Sequence, residues 1–130
     1  MAPELYILAG AVLLGFVHIF AAGGAKTKQY GTDWNMGARD EQLPPLEPLP
    51  GRLVRADANY RENFVLVAAV LLAVVVADKS GTLSLVGGLV WLGLRIVYLP
   101  IYAAGIKRVR SFVFLGSLIG AILILWQLLA

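Results

Sequence analysis

Arg55-Ala56-Asp57-Ala58-Asn59-Tyr60-Arg61-Glu62-Asn63 runs without a break into the apolar stretch Phe64 to Ala77. Positions 55, 59 and 62 follow the i, i+4, i+7 spacing of one helix face, so a cation, an amide and a carboxylate share a stripe. Ionisable groups at the edge of lipid-grade sequence are costly unless they are paired or bound to something polar. The stretch therefore predicts both a membrane helix and a site at its mouth.

Three further apolar segments flank it. With the second at roughly residues 55–77, the spans are predicted at 3–25, 55–77, 81–105 and 111–130, each close to the ~20 residues that cross a ~30 Å hydrocarbon core. None shows the period-2 alternation of a membrane β-strand. Hydrophobic residues make up 59% of the chain and charged residues 15%, far from the balance of a soluble domain. The expected fold is a single all-α membrane domain over residues 1–130, a bundle of four transmembrane helices.

Residues Ala22-Gly-Gly-Ala25 would suit a signal-peptide cleavage zone, but Met1 to Glu4 carries no basic residue to serve as a positive n-region, and a retained span is expected. Lys26, Lys28, Arg39, Arg52, Arg55 and Arg61 lie in or beside the first loop, and Lys107, Arg108 and Arg110 in the third; the other side offers only Lys79. The positive-inside rule puts both basic loops in the cytoplasm and both termini outside. These loops account for the net charge of +3, and nothing presents them as a nucleic-acid-binding fold. The chain has no cysteine and one histidine, His18, which excludes disulfides, a protein thiol nucleophile and a histidine or thiolate metal site. A lone His18 reads as a packed residue.

The first loop, residues 26–51, holds Tyr30-Gly-Thr-Asp-Trp34 and a proline-rich run from Arg39 to Pro50. Repeated prolines argue for an extended path, serving either as a connector or as a lid. Small residues at Gly87-Gly88 and at Gly116 and Gly120 predict close helix contacts, and Trp126 an interfacial anchor.

A second polar face lies on the third span, where Arg95, Tyr98 and Tyr102 follow i, i+3, i+7. The short turn from Asp78 to Gly81 makes the second and third spans antiparallel neighbours. Glu62 and Arg95 then lie about 16 and 14 residues from that turn, both ~21–24 Å from the outer face. A Glu62–Arg95 ion pair tying two helices together is the plain reading. It leaves Arg55, Asn59, Tyr98 and Tyr102 without a role, and the whole set fits a pocket for a small, multiply charged ligand.

These residues resemble a known family. Arg55-Ala-x-x-Asn59-x-x-Glu62-Asn-Phe, then Arg95-x-x-Tyr98-x-x-x-Tyr102, then Arg110-Ser111 at the start of the fourth span, are similar to the MAPEG family, membrane-associated proteins in eicosanoid and glutathione metabolism. That family includes microsomal glutathione transferases and the leukotriene C and prostaglandin E synthases. The run Arg39-Asp-Glu followed by prolines resembles its short bacterial members, which implies a bacterial inner membrane. The resemblance implies a homotrimer with glutathione as cosubstrate in a cytoplasm-facing cleft between subunits. Arg55, Asn59, Glu62, Arg95, Tyr98 and Tyr102 would hold the peptide, and Arg110, from the neighbouring subunit, would face the thiol. The chain departs from better-known members at Asn63, where some have an aromatic residue, at Asp57, where a neutral amide is frequent, and at Val65, where proline is common.

The implied chemistry is consistent with the residues. A free thiol has a pKa of about 8.5, which a nearby arginine lowers, raising the thiolate fraction. Arg110 is the best-placed cation, with Arg108 as the alternative, and Ser111 is either a hydrogen-bond donor or an ordinary helix start. The expected activity is that of a glutathione transferase or peroxidase acting on apolar electrophiles or lipid hydroperoxides. Two rivals are a small transporter, which would place its carboxylate nearer the bilayer centre than Glu62, and a non-enzymatic member of the fold that binds lipid or a partner.

Overall fold

The computed structural model describes residues 1–130 and is entirely helical, with α1 Pro3–Tyr30, α2 Thr32–Met36, α3 Pro48–Val76, α4 Thr82–Ala103 and α5 Val109–Leu129. Helices α1, α3, α4 and α5 are long and apolar enough to span a membrane. Their outward faces carry Phe16, Phe20, Leu66, Leu89, Phe112 and Ile119, the surface that suits lipid.

Two boundaries differ from the sequence expectation. Helix α1 continues through Lys26 to Tyr30, because nothing in that polar turn breaks a helix before Gly31, whose φ is 98°. Helix α3 starts at Pro48 rather than near Arg55, since proline at the first helical position gives up no hydrogen bond and its fixed φ suits the turn. Residues 48–54 are thus helical. The remaining connector is strapped to the end of α1: the Tyr30 hydroxyl donates to Pro44 O at 2.5 Å, Gln29 Nε2 donates to Pro45 O at 3.2 Å, and the Glu47 amide donates to Gln29 Oε1 at 2.8 Å. The Arg39 guanidinium sits 4.6 Å from the Trp34 ring centroid and holds Asn35 Oδ1 at 2.6 Å.

Helices α3 and α4 touch, as the short turn between them requires, yet the most extensive packing is α1 on α3 and α4 on α5. Glycine explains the second pair. A Cβ on Gly120 would come within 2.5 Å of the Gly87 carbonyl oxygen and 2.8 Å of the Trp91 amide nitrogen, so the two helices meet backbone to backbone. The common core is Ile7, Ala11, Leu14, Tyr60, Val67, Leu71, Val74, Trp91 and Ile124, to which all four long helices contribute. At the end of the bundle away from the arginines, Lys79 Nζ donates to Leu128 O at 3.0 Å and fastens the tail of α5 to the α3–α4 turn.

Candidate functional site

The extended α3 brings one more cation onto the motif face than the sequence suggested. Arg52 lies one turn before Arg55, and its Nη1 donates to Ala103 O, the last residue of α4, at 3.2 Å. The chain then turns at Gly105, φ 72°, where a Cβ would meet the Arg52 guanidinium at 2.8 Å. Glycine is favoured there by its dihedral. Arg55 Nε donates to the Tyr102 hydroxyl at 3.3 Å, and the Arg110 guanidinium lies 5.0 Å from the centroid of the same Tyr102 ring. Between these groups is a cavity of about 240 Å³ lined by Arg52, Arg55, Tyr102, Gly105, Ile106, Lys107 and Arg110. Four cations and no carboxylate surround it. Such a pocket selects an anion.

One layer deeper, Arg95 is fully buried. Its Nη1 donates to Asn59 Oδ1 at 2.8 Å, and its guanidinium carbon stands 4.2 Å from the Tyr98 ring centroid and 5.4 Å from that of Tyr60. Nε and Nη2 of Arg95 have no hydrogen-bond partner. The charge is therefore held by one amide and the rings of Tyr98, Tyr60 and Phe114, with two donor nitrogens unused. Rings of Tyr98 and Tyr102 lie 5.5 Å apart and connect this layer to the cavity above.

Six of the expected site residues thus fall into two groups. Arg55, Tyr102 and Arg110 share the cavity, while Asn59, Arg95 and Tyr98 form the buried layer beneath it. Arg110 lines the cavity together with Arg55 and Tyr102 of its own chain. Glu62 joins neither group: it is exposed and makes no ion pair, so the Glu62–Arg95 bridge is absent and Asn59 takes its place. Three residues advance a helix by about 60° short of a full turn, which swings Glu62 off the face that meets α4 while Asn59 stays on it.

Ser111 lies near the start of α5. Helix α5 begins at Val109 with Arg108 before it at φ 65°, so Ser111 lies inside the first turn, exposed, and is not the residue that starts the helix. Arg108 spends its conformation on that turn and does not line the cavity. Arg52 and Lys107 are the members that sequence reading missed. The available signal was the i, i+3 spacing of Arg52 and Arg55, hidden by assigning residue 52 to a loop.

Beside the buried layer, His18 stacks on Tyr60 with centroids 4.5 Å apart, and the Tyr60 hydroxyl donates to the Ala11 carbonyl. His18 is buried and packed as expected, with both ring nitrogens unpartnered. Asp57 is engaged by Arg61 at 2.9 Å on the other side of α3, away from the cavity.

A comparison with protein-family models matches residues 5–130 to the model described as the MAPEG family. Searches of curated proteins and of solved structures returned no match to the chain.

Proposed function

Given that the chain belongs to the MAPEG family, a family of glutathione- and eicosanoid-related membrane proteins, we propose that it is a glutathione-dependent transferase or peroxidase of the membrane. The observation that carries this reading is the cavity walled by Arg52, Arg55, Lys107 and Arg110. Glutathione brings two carboxylates, which such a wall would hold, and one ammonium, for which Glu62, exposed and without an ion pair on the motif helix, is the candidate partner. Arg95, with two unused donors below, supports a further anionic contact if Tyr98 and Tyr102 shift.

Bound there, glutathione would supply the sulfur nucleophile for conjugation to an apolar electrophile or for reduction of a lipid hydroperoxide. The chain's own part is electrostatic. Arg110, oriented by the Tyr102 ring, favours the ionised form of a thiol beside it and stabilises negative charge at that point. Arg55 and Arg52 fix the peptide, and the Tyr102 hydroxyl, already accepting from Arg55, keeps its own proton free to donate toward sulfur. In this reading the arginine-rich end faces the cytoplasm, both termini face outward, and three copies assemble around sites completed by Glu62 at the exposed face of α3. Electrophiles dissolved in the bilayer reach the site from the side.

The test pairs two alanine variants. Arg110→Ala should cut turnover roughly tenfold or more and raise the apparent pKa of bound thiol by about one unit, equivalent to about 1.4 kcal/mol. Glutathione affinity by calorimetry should fall far less. Arg108→Ala should behave as wild type. Full activity in Arg110→Ala with loss in Arg108→Ala would overturn the assignment.

A further inference from the structure

The end of the bundle opposite the arginines contains a buried carboxylate that the proposed activity does not use. Glu4, in the first turn of α1, is only 1% exposed. Its Oε1 accepts from the Ser84 hydroxyl at 2.5 Å. Ser84 Oγ also accepts the Gly81 amide at 3.0 Å and lies 2.9 Å from Gly81 O, so its one proton cannot also serve the second carboxylate oxygen. That oxygen, Oε2, has no partner. Beside it is a cavity of about 350 Å³ lined by Pro3, Glu4, Ser80, Gly81, Thr82 and Leu85, with Leu85 the one large apolar wall.

Three properties narrow what belongs there. The cavity lies where α1 and α4 begin, at the ends of two membrane-spanning helices, which is the level of phospholipid headgroups. Its buried carboxylate oxygen accepts hydrogen bonds and carries negative charge, so it calls for a cationic donor. Its rim is the N-terminus of the 22-residue helix α4, whose first amides have no carbonyl partner within the helix and point toward an anion. Thr82 adds a hydroxyl at the same place.

We propose that this cavity is a binding site for a phospholipid headgroup carrying a primary ammonium, the ethanolamine type. The ammonium donates to Glu4 Oε2, and the phosphate lies against the first turn of α4 and the Thr82 hydroxyl. Lys79, in the same turn as Ser80, makes no ion pair with Glu4 and directs its ammonium to Leu128 O at 3.0 Å. A choline headgroup has the same charge but no N–H to give to Oε2. A serine headgroup would bring a second carboxylate against Glu4. The site therefore discriminates by hydrogen-bond donation rather than by charge alone.

The experiment is native mass spectrometry of the full chain in detergent, titrated with phosphatidylethanolamine or phosphatidylcholine of identical acyl chains. Wild type should retain the ethanolamine lipid about tenfold better, a difference equivalent to about 1.4 kcal/mol. Glu4→Gln, which keeps the shape and an acceptor for Ser84, should reduce that preference to near unity. Equal retention of the two lipids by wild type, which needs no variant to fold, would overturn the proposal. So would an undiminished preference in Glu4→Gln. Displacement of the lipid by equimolar soluble phosphoethanolamine would overturn the lipid source in favour of a free metabolite.

Discussion

Replacing Asn59 by alanine removes the only side-chain acceptor that meets Arg95. The Asn59 oxygen must face the guanidinium, since arginine offers donors alone, and the bond is 2.8 Å long beneath a fully buried charge. Neutral hydrogen bonds between membrane helices average only about 0.6 kcal/mol, because the separated helices find other partners in lipid. A bond to a charged group is nearer ~1.5–3 kcal/mol. The rings of Tyr98 and Tyr60 remain after the substitution and retain part of the stabilisation. The expected loss is therefore ~1.5–2.5 kcal/mol in unfolding free energy, toward the lower part of the charged range. Reversible unfolding in mixed micelles measures it. Asn59→Asp, which places a carboxylate opposite the same guanidinium, should retain wild-type stability or exceed it. Arg95→Met combined with Asn59→Leu should recover much of the loss, because neither partner is then left buried alone. A cost below ~0.5 kcal/mol for Asn59→Ala, the range of an ordinary surface change, would refute the view that this amide holds the charge.

Two further outcomes are expected. Glu62→Gln should leave stability unchanged, since Glu62 has no partner in the chain, while weakening glutathione binding by at least about 1.5 kcal/mol by calorimetry; unchanged affinity would remove Glu62 from the site. A C-terminal reporter active only in the cytoplasm should stay silent in cells, as the excess of basic residues at the Ala103–Arg110 end requires, and a bright signal would invert the orientation.

The number and order of spans were legible because apolar runs of about 20 residues leave few alternatives in a chain of this composition. The cation, amide and phenol that line the candidate site were legible for a related reason: polar groups in such runs stand out, and helical spacing shows which share a face. Azimuth was harder. Arg55, Asn59 and Glu62 look like one stripe in sequence, yet only packing against α4 shows that Asn59 faces the seam and Glu62 does not. The missing members had a different cause. Pro48 and Pro50 resembled breakers but occupy the first turn of α3, where proline is tolerated, and that reassigned Arg52 from connector to site. Lys107 enters through the turn after Gly105, whose path no periodicity encodes.

The pairing of α1 with α3 and of α4 with α5 has a consequence for how the chain is made. Arg52, Arg55 and Asn59 belong to the first hairpin, and Arg95, Tyr98, Tyr102 and Arg110 to the second. Without the second half, Asn59 lacks the Arg95 guanidinium that its side-chain oxygen accepts from in the folded chain. Arrival of the second half closes the seam through three contacts: Arg52 to Ala103, Arg55 to Tyr102 and Arg95 to Asn59. The cavity proposed to bind glutathione thus needs residues from both hairpins, Arg52 and Arg55 from the first and Tyr102, Lys107 and Arg110 from the second. A chain cut before α4 lacks Tyr102, Lys107 and Arg110 and cannot form it.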